Sequence, residues 1–208
     1  QVDGIELHII ASIFDETVGV NILSQIKQDY NDISKLFSSQ TSDFTIYIVE
    51  HTDNGEVFSA QNKIFCTLDD ITSGAYRRAL VKETLNIAEP WQIIGLALYI
   101  WDDTSNSSVS DSFNLQDYYK DENNISTLSL FVAYFNEAFV SEDTLAVVKK
   151  TAYSITEYIL NEYGVDSFLT DGNSSKYRQE WLNSISLDDY YYQPYDLSYF
   201  DGASYSST

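Results

Sequence analysis

The stretch from Tyr76 to Trp101, YRRALVKETLNIAEPWQIIGLALYIW, decides how the rest of the chain is read. Its first half carries Ala79, Leu80, Leu85 and Ile87 at helical spacing, which predicts a buried helix from Ala75 to about Ala88. Pro90 cannot continue that helix and suits the first turn of the next one. Trp91 to Trp101 is apolar on nearly every face, so it is expected as a helix central to the core. Against this apolar background, Lys82, Glu83 and Asn86 place three polar groups within about one helical turn.

Upstream, Ile5 to Ile13 reads as a buried strand. Val18, Ile22, Ile26, Tyr30, Ile33 and Phe37 recur every three or four residues and predict an amphipathic helix between Val18 and Phe37. Phe44 to Val49 reads as a second strand. Asp53-Asn54-Gly55 is a turn signal, and Glu56 to Leu68 supplies one or two further strands of a hairpin. Thr72-Ser73-Gly74 leads into the Ala75 helix.

Downstream the pattern is helical. Asp102 to Asn124 is polar and weakly patterned, as a long loop is, and Thr127 to Val140 carries an apolar stripe of Leu128, Phe131, Val132, Phe135 and Phe139. Ser141 is an N-cap signal for a helix from Thr144 to Tyr163, which Gly164 stops. Shorter helices are expected at Val165–Leu169 and Ser175–Ser184. The order of strand, helix, strands and then helices alone gives an α+β fold, with a small mixed sheet and a long helix at the front and a mostly helical half behind. One domain is expected over residues 1–185, its sheet-containing part reaching about residue 74, followed by a Tyr-rich acidic tail over 186–208.

Composition narrows the function. The 208 residues carry 32 acids against 11 bases, a net charge of −21. Phosphate binding needs basic patches, so nucleic acid is not an expected partner. No apolar run reaches the length of about 18 residues that a membrane span needs. Cys66 is the sole cysteine and sits in a strand-like segment, which predicts an inert buried thiol and no internal disulfide. His8 falls in the first strand and His51 just after the second, positions of ordinary strand and strand-end histidines. The chain opens at Gln1 with no Met and no basic segment, as a mature or trimmed form does. Abundant Tyr, Asn, Ser and Asp with few Lys and Arg points to a secreted or surface-anchored bacterial protein, such as a lipoprotein.

Trp91-Gln92-Ile93-Ile94-Gly95-Leu96-Ala97-Leu98-Tyr99 is similar to the W-x-x-E-G-L-A-x-Y helix of gluzincin-type zinc metallopeptidases, matching at Trp91, Gly95, Leu96, Ala97 and Tyr99. Lys82-Glu83-Thr84-Leu85-Asn86 resembles the preceding zinc helix, in which two His four residues apart flank a Glu. The likeness extends over most of residues 5–170, through the strand, long helix, strand and hairpin before the zinc helix and the late helix ending Tyr163-Gly164. It implies a zincin-like α+β fold with Glu83 in the place of the general base.

The departures imply a lost activity. Lys82 and Asn86 stand where the His ligands would be, and Ile94 where the Glu ligand would be. An ammonium repels Zn²⁺, a carboxamide is a weak ligand and an alkyl group is none, whereas catalytic zinc needs about three N, O or S ligands. Without zinc, Glu83 has no activated water to deprotonate, and an ion pair with Lys82 or Arg78 is the simpler role. The reading is a degenerate peptidase domain without cofactor. Glu83 is its vestigial base, and Lys82, Asn86, Trp91, Ile94 and Tyr99 line a cleft retained for a peptide, a protein or a cell-surface polymer, outside the cytoplasm. The alternatives are an active zinc peptidase whose ligands lie elsewhere and a purely structural surface-interaction domain.

Overall fold

A computed structural model describes residues 5–9, 16–37, 43–52, 55–101, 115–119, 142–171 and 175–185. The fold is mixed α+β. Two compact units divide the chain, residues 1–107 and residues 108–208.

The first unit holds a sheet of four strands: β1 (Ile5–Ile9), β2 (Phe44–Ile48), β3 (Phe58–Ala60) and β4 (Lys63–Cys66), in the spatial order β1-β2-β4-β3. The first three strands across the sheet are parallel, and β3 runs antiparallel at the edge. Parallel neighbours need a crossover, and α1 (Glu16–Leu36) supplies it between β1 and β2. Alternation sends Phe44, Ile46, Ile48, Ile64 and Cys66 to the buried face. Ile22, Ile26 and Ile33 of α1, with Phe37 just beyond it, join the core, and Tyr30 lies against Phe44, ring centroids 5.8 Å apart. Val18 leaves the expected stripe and is exposed.

The opposite face of the sheet carries a row of rings. In register, His8, Tyr47, Phe65 and Phe58 come from β1, β2, β4 and β3. Tyr47 and Phe65 stack at 4.8 Å with planes 9° apart, His8 stacks on Tyr47 at 5.0 Å, and Phe58 tilts onto Phe65 at 6.1 Å. Cross-strand aromatic pairs of this kind each stabilise a sheet by up to about 1 kcal/mol.

The hairpin closes at Gln61 and Asn62, both at positive φ (54° and 61°), the conformation a two-residue type I′ turn requires. The Asp53-Asn54-Gly55 signal therefore precedes the hairpin and does not form its tip. A short helix, α2 (Leu68–Ser73), follows where the sequence pattern had shown none. Thr67 and Asp70 close a capping box at its start, and Gly74 in the left-handed region ends it. The Ala75–Ala88 segment is shorter than expected: α3 spans Arg77–Leu85, and Asn86 turns left-handed (φ 53°), its N–H and that of Ile87 both closing on the Lys82 carbonyl. Asn tolerates this conformation better than other non-glycine residues. Helix α4 covers Pro90–Trp101 and packs on α3.

One polar cluster ties these helices together. Asp29 lies on the buried stripe of α1. Its carboxylate accepts a 2.6 Å hydrogen bond from the Tyr76 hydroxyl and a fork from Arg77, Nε at 3.0 Å and Nη2 at 3.2 Å. The Arg77 guanidinium also lies over the Trp101 ring, 5.3 Å from its centroid. α1, the start of α3 and the end of α4 thus share one buried charge.

The described elements of the second unit are all helices: α5 (Leu115–Tyr119), α6 (Glu142–Glu162), α7 (Gly164–Asp171) and α8 (Ser175–Ile185). The expected loop over 102–124 is thus helical at Leu115–Tyr119. Gly164 (φ 83°) ends α6 as its sequence position suggests. Val148, Ala152, Ile155 and Ile159 of α6 pack with Phe168 and Trp181. Trp181 donates its indole N–H to Ser154 at 3.0 Å, and the Tyr119 and Thr151 hydroxyls bond at 2.8 Å, which satisfies polar groups inside this core. The expected helix at 127–140 and the tail over 186–208 lie outside the described residues. Among the described residues no helix is long and apolar enough to cross a membrane.

Candidate functional site

Lys82 and Glu83 sit on the last turn of α3, which packs against β3 and β4. The Glu83 side chain is only 7% exposed. Its Oε2 accepts a 2.8 Å hydrogen bond from the backbone N–H of Asn62. That amide belongs to the I′ turn, where it has no partner in the strand ladder. A buried amide needs an acceptor, and a carboxylate is a strong one. The other oxygen lies 3.6 Å from Lys82 Nζ.

Lys82 is committed as well. Its ammonium donates to the Ser59 carbonyl at 2.9 Å and to the Ser59 hydroxyl at 3.2 Å. In a hairpin closed at Ala60 and Lys63, Ser59 opposes Ile64 as a pair without ladder hydrogen bonds, so its carbonyl faces outward from the edge strand. A lysine on that carbonyl blunts the edge against pairing with another chain. Lys82 and Glu83 together therefore clamp one arm of the hairpin and its turn to α3.

The remaining residues of the motif sit at the end of α3 and along α4. Asn86 is exposed and caps α3. Trp91 and Ile94, 2% and 4% exposed, are packed core side chains of α4 and offer a ligand almost no surface. Tyr99 is half-buried near the end of the same helix. Among the described residues no three His, Cys, Asp or Glu side chains are grouped as a metal site.

A concavity forms at the other end of the hairpin. It has a volume of about 460 Å³ and is lined by Val49, His51, Thr52, Glu56, Val57, Phe58 and Phe65. Val49, His51 and Thr52 follow the carboxyl end of β2, Phe58 begins β3, and Phe65 lies near the carboxyl end of β4. Open sheets with parallel strands bind ligands at these carboxyl ends. Phe58 ends the aromatic row and is 57% exposed. The Thr52 Oγ1 is buried and has no hydrogen-bond partner among the described residues.

Motif reading missed this concavity because its residues are spread over three elements and joined only by strand register. The one sequence signal was an exposed-type segment, Glu56-Val57-Phe58, carrying an aromatic at its end. His51 keeps its expected strand-end place, and His8 stacks on Tyr47 with Nε2 3.1 Å from Glu6. Cys66 is fully buried. Desolvation and the Asp70 charge push its thiol up to about 12, which leaves it un-ionised and unreactive near neutral pH.

No protein-family model matches this chain, and comparison with curated proteins and with solved structures finds no match.

Proposed function

We propose that this chain is a catalytically inactive, metallopeptidase-like domain that acts outside the cytoplasm by binding a peptide or protein. The observation that carries this reading is the fate of Glu83. The carboxylate that a metallopeptidase of this type would use as its base is buried against a hairpin amide and a lysine. A general base must reach the water it deprotonates, within about 3 Å and with a free lone pair aimed at it. Glu83 instead holds the backbone. The likeness to gluzincins rests on the Lys82–Asn86 and Trp91–Tyr99 frames and on element order, and the loss of chemistry on the residues that stand in those frames.

The test is peptide turnover against peptide binding. The full chain is incubated with a quenched-fluorescent peptide library in buffer containing zinc, and binding of the same library is followed by polarisation. Binding without turnover is the expected result. Zinc-dependent cleavage that Glu83→Gln abolishes would overturn the reading in favour of an active peptidase.

A further inference from the structure

We propose that the concavity beside Phe58 receives an arginine side chain of a partner peptide. The proposal rests on the binding reading above and names what this surface recognises.

Two features of the lining select a cation. Phe58 and Phe65 offer aromatic surface, and a guanidinium binds such rings with its charge over the π-face. They are held in place by the row that continues through Tyr47 to His8, so little ordering is lost on binding. Glu56 sets an exposed carboxylate at the same rim, a partner for the fork of an arginine.

Charge favours the same occupant. From Val49 to Val57 the sequence carries Glu50, Asp53 and Glu56 and neither Lys nor Arg. The whole chain carries a net charge of −21, which raises the local concentration of cationic partners and repels acidic ones. A sugar fits less well: four of the seven lining residues are Val or Phe, leaving few groups to satisfy its ring of hydroxyls.

The two ends of the hairpin then divide their tasks. Lys82 covers the outward Ser59 carbonyl, so a partner gains little from strand addition at β3. At this edge, side-chain capture at the Phe58 end is the means of recognition.

The experiment is a chemical-shift titration of the full ¹⁵N-labelled chain with three probes. These are an alanine-based hexapeptide with one central arginine, the same peptide with citrulline, and a neutral glucose oligosaccharide. The arginine peptide is expected to shift the amides of Val49, Thr52, Val57 and Phe58, and the citrulline peptide to bind about tenfold more weakly or not at all. Glu56→Gln and Phe58→Ala, both at exposed positions, are each expected to weaken the arginine peptide by about tenfold with an unchanged spectrum elsewhere. Equal binding of the two peptides, shifts confined to other residues, or oligosaccharide binding in place of peptide would overturn the assignment. Those outcomes leave the turnover test above untouched, so the two readings fail separately.

Discussion

Glu83 illustrates how one carboxylate can be spent on structure. Its hydrogen bond to the Asn62 amide is local in space but spans 21 positions of sequence. Glu83→Ala removes the acceptor from a buried amide and is expected to lower the stability of the chain by about 1–3 kcal/mol in urea denaturation. Glu83→Gln retains a carbonyl oxygen at the same reach and should lose less. A group kept for catalysis would behave otherwise, since its removal typically leaves stability unchanged or improved.

The sequence showed Lys82 beside Glu83 and so allowed an ion pair, which the structure contains. It did not show Asn62 or Ser59 as partners. Those contacts depend on which face of the hairpin meets α3, and strand alternation alone does not encode that.

Among the elements, Asn86 sets the length of α3. A β-branched residue is strained in the left-handed region, so Asn86→Val is expected to cost about 1–2 kcal/mol, whereas Asn86→Gly should be close to neutral, both read from thermal or urea melts. The clamp on α1 is a stronger constraint. Asp29→Ala leaves the Tyr76 hydroxyl and the Arg77 guanidinium without their shared acceptor, at an expected cost of about 3 kcal/mol. Tyr76→Phe removes one bond of the same cluster and should cost about 1 kcal/mol.

Helices and strands with a clear apolar period were legible. The stripe through Ile22, Ile26 and Ile33 and the strand at Phe44 fall where periodicity puts them. Short elements set by polar detail were not. α2 is announced only by Thr67 and Asp70 three residues apart, and the hairpin tip by Gln61 and Asn62, neither of which is a strong turn pair. Asp29 is not legible as a core residue, because a charge breaks the apolar pattern that defines the stripe.

At the scale of the molecule, buried ionisable groups set the alkaline limit. The Cys66 thiol rises from 9.0 to about 12, through burial first and the Asp70 charge second. The folded chain therefore holds that proton more tightly than the unfolded chain does. Its contribution to stability is full below pH 9.0 and is lost progressively as pH rises from 9.0 toward about 12. Burial also raises Tyr76 and Tyr119, which extends the loss above pH 10.0. Urea midpoints measured from pH 8 to pH 11, about one unit to either side of these onsets, are expected to fall throughout the upper part of that range. Cys66→Ala should lower the plateau, through the cavity it leaves, while flattening the decline that begins near pH 9.0.

The proposed function belongs to this scale too, because the α3 clamp and the concavity act on the same hairpin. The α3 clamp fixes the hairpin, and the hairpin presents Phe58. The most direct measurement is zinc stoichiometry of the full chain by equilibrium dialysis, repeated with Glu83→Gln. If the proposed likeness holds, an ammonium (Lys82), a carboxamide (Asn86) and an alkyl group (Ile94) stand at the positions of the zinc ligands, which predicts no stoichiometric zinc in either protein. One tightly held zinc per chain in either protein would contradict the account.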